Sequence, residues 1–71
     1  MDRDHETQRE VVRLVLKRER ELAGLERLLG PDAVAAVKML AADGVVVRCG
    51  EVLWASSALW RLDELGLLTG A

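Results

Sequence analysis

Apolar positions recur with helical spacing along the first third of the chain. Val11, Val15, Leu22, Leu25 and Leu29 fall on one stripe, widened by Val12, Leu14, Leu16 and Leu28. Good helix formers fill the positions between them, and no proline interrupts from His5 to Leu29. Residues 5–29 are therefore predicted helical, with residues 1–4 frayed. Gly24 is the weak point, at about 1 kcal/mol relative to alanine. The pattern leaves open whether the stretch is one helix or two. One unbroken helix of this span would measure about 37 Å at 1.5 Å per residue. That is long for so small a domain, and it would want a partner along its length.

Gly30-Pro31-Asp32 then punctuates the chain. The glycine suits a left-handed helix end, and the proline and aspartate suit the start of the next helix. This second helix is predicted over 31–43, with Val34, Val37, Met39, Leu40 and Ala41 apolar, and Asp43-Gly44 stops it. Two β-branched runs follow, Val45-Val46-Val47-Arg48 and Glu51-Val52-Leu53-Trp54, separated by Cys49-Gly50. They predict a tight hairpin over 45–54, with Arg48 facing Glu51 across the turn. Trp54 is expected on its inner face, as core. Ser56 or Ser57 caps a last helix over 56–66. Leu59, Leu62 and Leu65 carry its apolar face, Trp60 lies half-exposed beside them, and Leu67 and Leu68 are expected to pack back onto the core.

Seventy-one residues make one small domain, and a core of this size rarely supplies more than about 3–5 kcal/mol. A single cysteine excludes an internal disulfide, and a single histidine, His5, argues against a protein-only zinc site. Association is the remedy left, so a homodimer is expected. No apolar run is long enough to span a membrane, the charged N-terminus does not resemble a signal peptide, and a lone thiol suits a reducing compartment, so a cytoplasmic location is expected. No Gly-rich phosphate loop, nucleophile–base set or ligand cluster stands out, so neither enzymatic activity nor a cofactor is expected. Net charge is −2, a poor start for a nucleic-acid binder. Residues 1–27 carry seven basic and seven acidic side chains, and residues 28–71 carry three and five.

The stretch AVKMLAADGVVVRCGEVLWASSALWRLDELGLL resembles the second half of a bacterial winged helix-turn-helix domain. The residues that carry the likeness are Leu40, Asp43, Gly44, Val45, Val46, Gly50, Glu51, Ser56, Ala58, Leu62 and Leu65. Upstream, Glu21-Leu22-Ala23 and Leu29-Gly30 resemble the positioning helix of such domains. The resemblance implies a mainly α fold with a β-hairpin wing. It also implies a shortened variant, because VLKRERELAGL leaves no obvious loop between the first two helices. The helix that would enter a major groove carries Lys38 as its only basic residue, where base readout wants Arg, Lys, Asn, Gln or Ser.

Two functions follow as expectations. The first is a dimeric, transcription-regulator-like protein that binds double-stranded DNA, mainly at phosphates. Arg9, Arg13 and Lys17, spaced by four, would serve with Lys38 and the wing-tip Arg48, and Arg20 could extend the row. The second is an interaction or dimerisation module without DNA binding, using Val11, Val15, Leu22, Leu25 and Trp60. The bland readings are a solvated helix face for the basic row, a cross-strand partner of Glu51 for Arg48, and an exposed thiol without a role for Cys49.

Overall fold

The structure, a computed structural model, describes residues 3–66. It is mainly helical, with a small three-stranded antiparallel sheet. Helix α1 spans Arg3–Lys17, strand β1 Arg20–Glu21, helix α2 Leu22–Leu29 and helix α3 Asp32–Ala42. Strands β2 and β3 span Val46–Cys49 and Val52–Ala55, and helix α4 closes with Ser57–Glu64. The sheet order is β1-β3-β2.

The expected helical stretch 5–29 is two helices with a strand between them. It breaks at Arg18-Glu19, not at Gly24, which lies inside α2. Helix α1 begins at Arg3, ahead of the expected start. One short-range and several long-range hydrogen bonds hold the break. Arg20 Nε donates to Leu14 O at 3.0 Å, so a side chain satisfies a carbonyl of the last turn of α1. Arg20 and Glu21 pair with Leu53 and Val52 of β3, and Leu22 N donates to Glu51 O at 2.8 Å. A ladder thus holds the backbone that helix propensity would have wound on. Geometry agrees, because a helix of about 37 Å would overhang a body of 31 × 30 × 20 Å.

Gly30 ends α2 with φ +89° and donates to Glu26 O, a glycine in a backbone region that other residues rarely enter. Pro31 precedes α3, whose boundaries match the expectation within one residue. The hairpin differs in register. Cys49 pairs with Val52, Arg48 with Leu53, Val47 with Trp54 and Val46 with Ala55. The two-residue loop is therefore Gly50-Glu51. Gly50 has φ +63° and Glu51 does not have a positive φ, the signature of a type II′ turn with glycine at its first central position. Arg48 consequently faces Leu53, not Glu51, and its Nε donates to Gly50 O at 2.9 Å.

Alternation along β3 forces a choice between burying Trp54 and burying Leu53 with Ala55. The fold buries the pair, beside Val46 of β2, and Trp54 stands outward, 37% exposed, across from Val47. That reverses the expectation of Trp54 as core. The core is otherwise one cluster: Val11 and Val15 from α1, Leu22 and Leu25 from α2, and Ala33, Ala36, Val37 and Leu40 from α3. Leu59 is the one buried residue of α4. Ser56 caps α4 as expected, its Oγ accepting from Leu59 N at 3.2 Å. Leu62 and Leu65, expected to be apolar face, are exposed. Leu67 and Leu68 lie outside the described residues.

Candidate functional site

Arg9, Arg13, Lys17, Lys38 and Arg48 are all exposed, and they are distributed over three elements. Arg9, Arg13 and Lys17 run along the outer side of α1. Arg13 Nη1 meets Glu10 Oε1 at 3.4 Å, with both side chains largely in water, and Glu6, Arg9, Glu10 and Arg13 line a shallow depression. An exposed pair of this kind is worth at most about 1 kcal/mol. The row is thus laced with carboxylates on its own surface. Arg20 does not join it, because its guanidinium is occupied at the end of α1. Lys38 stands on the outer face of α3, and Arg48 at the end of β2. The free thiol of Cys49 is exposed.

Most of the expected interface residues are not available. Val11, Val15, Leu22 and Leu25 are buried within the single chain, Leu22 the most open at 9% exposure. The apolar stripe of residues 11–29 therefore serves the chain's own core, because α1 and α2 fold onto α3 and the sheet. Trp60 is the exception, at 42% exposure.

Two surfaces went unrecognised in the sequence. One is the outer face of the sheet, where Val47 pairs with Trp54 and Cys49 with Val52. The other is the outer face of α3. Ala33, Ala36, Val37 and Leu40 turn inward, which leaves Ala35, Lys38, Met39 and Ala42 outward, ending at Asp43. Met39 is 53% exposed, and its Sδ lies 3.5 Å from Gln8 Nε2. The period of α3 was readable in advance, since inward positions at i, i+3, i+4 and i+7 fix the outward ones. Met39 is apolar but stands outside that inward set.

The outer face of α3 is mostly apolar and weakly charged. One lysine is set between Asp32, at the start of the helix, and Asp43, at its end. It offers apolar contact, one cation and two carboxylates, but not the array of donors and acceptors that reads base edges. Among the described residues, no helix is long and apolar enough to cross a membrane. No protein-family model, no curated protein and no solved structure matches the chain.

Proposed function

We propose that the chain is a winged-helix-like module that works by protein association, and that α3, which would be the reading helix of such a domain, serves as a contact face. One observation carries this reading: the outward side of α3 holds Ala35, Lys38, Met39 and Ala42, with acidic residues at both ends of the helix. A DNA-entering helix meets a polyanion, and phosphate neutralisation by Lys and Arg supplies much of its affinity. Asp32 and Asp43 oppose that here. The winged-helix part is supported by the order of elements. A short strand between the first two helices pairs with the second hairpin strand, and the hairpin follows α3 directly.

A second reading, a homodimer bound to double-stranded DNA through phosphates, draws on that same order and on the exposed Lys38 and Arg48. A titration separates the two. Labelled random duplex at about 50 mM salt, where phosphate-driven affinity is strongest, is titrated to roughly 100 µM protein and followed by anisotropy. The association reading expects no saturable binding, together with self-association or partner binding in sedimentation. Saturable binding at micromolar protein that weakens steeply with salt overturns it in favour of the second.

A further inference from the structure

We propose that the free edge of β2 receives a second copy of this chain, the two β2 strands pairing antiparallel about a twofold axis normal to the sheet. This goes beyond the association reading, because it uses a surface distinct from α3. Backbone geometry defines the edge. Ser56 N donates to Val45 O at 3.1 Å, and the hairpin register, continued by one residue, sets these two opposite each other. Opposed residues of an antiparallel pair alternate between bonded and non-bonded. Val47 and Cys49 therefore also bond to β3, while Val46 and Arg48 aim their N–H and C=O groups away from it. Among the described residues, no backbone bond from elsewhere reaches those groups. Neither proline nor lysine, which blunt such edges in other sheets, lies in β2.

Two arguments identify the occupant as a second copy. The first is closure. The joined sheet runs β1-β3-β2-β2-β3-β1, so β2 is an edge in neither chain and each outer edge is the two-residue β1. Very short edge strands limit further pairing. A foreign strand on β2 would instead present a new edge of its own. The second argument is register. A twofold axis sets the central residue opposite itself, and outward groups must meet outward groups. Centring on Arg48 opposes like charges, and centring on Val46 sets Arg48 against Gly44, outside the strand. Centring on Val47 pairs Val46 with Arg48 of the second copy, and Arg48 with Val46, so every outward group of β2 is satisfied. Val47 then meets Val47 of the second copy on the outer face, with Trp54 beyond it on either side. Both side chains are partly exposed in the single chain, and the apolar row Trp54-Val47-Val47-Trp54 crosses the joint unbroken. The contact is small and belongs with weak, transient ones.

Sedimentation equilibrium at up to roughly 1 mM protein reads the association. The wild type self-associates. Val47→Glu and Val47→Lys each set two like charges directly opposite, and each weakens self-association by about tenfold or more. An equimolar mixture of the two variants restores it, because the charges that meet are then opposite. Val47 is exposed, so thermal melts of dilute protein report that the variants still fold. Disulfide trapping reads the register. Non-bonded opposed residues have Cα atoms about 4.5 Å apart, within disulfide range, so Cys49→Ser/Val47→Cys links two chains on mild oxidation. In the wild type Cys49 faces Val45 of the second copy. Its two thiols are then separated by about 13 Å along the strands, and the wild type is not linked on the same timescale. Equal linking of both proteins overturns the proposed register. Self-association unchanged in both charge variants overturns β2 as the joint. A wild type that stays monomeric and binds no duplex overturns the proposal, leaving the edge to a strand of another protein and the association reading standing. A monomer that binds random duplex overturns both.

Discussion

Replacing Arg20 with alanine separates two accounts of the first third of the chain. If residues 5–29 formed one helix, Arg20→Ala would exchange one good helix former for the best one, with an effect near zero or slightly favourable. In the observed fold Arg20 lies in β1, half-buried, its Nε 3.0 Å from Leu14 O. A hydrogen bond from a charged donor contributes about 1.5–3 kcal/mol. Partial exposure puts this one at the low end. Leu14 O also keeps a second, long bond from Arg18 N at 3.4 Å, which softens the loss. The expected cost is therefore about 1–1.5 kcal/mol. In a domain of this size each kcal/mol moves Tm by about 4–8 °C, so the variant should melt roughly 4–12 °C lower. Urea unfolding followed by circular dichroism gives the free energy directly, with Arg18→Ala as a neighbouring control expected within about 0.5 kcal/mol. A variant as stable as the wild type, or more stable, refutes the argument that this bond helps to end α1.

Three further outcomes follow from the hairpin and the last helix. Val46 is buried and Val47 exposed on adjacent positions of β2, so Val46→Ala should cost about 1.5–3 kcal/mol and Val47→Ala about 0.5 or less, as read by denaturant midpoints. Equal costs would contradict the assignment of the sheet faces. Gly50→Ala meets no steric obstacle, yet it forces an L residue to φ +63°. A loss of about 1–2 kcal/mol is expected in the same assay, and an unchanged stability would argue against the type II′ turn. Ser56→Ala removes the cap of α4 and should cost about 1 kcal/mol. Because α4 buries Leu59 and little else, its amides should also exchange faster in that variant than those of α1.

How much of this was legible in the chain depended on the range of the interaction that decides each feature. Gly30, Pro31 and Ser56 act within a few residues, and the boundaries they mark emerged where the sequence put them. The break after Lys17 is different. No local residue disfavours helix there. The chain leaves the helix because β3, some thirty residues later, offers Arg20 and Glu21 a ladder. Helix propensity is a weak prior, and pairing of this kind overrides it. The hairpin is legible but its turn is not, since Cys49-Gly50 and Gly50-Glu51 both put glycine in a two-residue loop. They differ only in whether the glycine comes second or first.

The apolar stripe of α1 and α2 shows why periodicity alone did not locate a contact surface. Val11, Val15, Leu22 and Leu25 were legible as one face, but a face is a statement about direction, not about what covers it. In a long lone helix that stripe would need a second chain. Once the helix folds back at Arg18-Glu19, the same side chains cover α3 and the sheet, and the need for a partner along them disappears. The surface left over is the complement of that packing. On α3 it is Lys38, Met39, Ala42 and Asp43, set by the inward turn of Ala33, Ala36, Val37 and Leu40. A protein contact at α3 and insertion of α3 into a DNA groove would compete for the same residues. Under the association reading, duplex in excess should therefore not displace a protein partner held on α3.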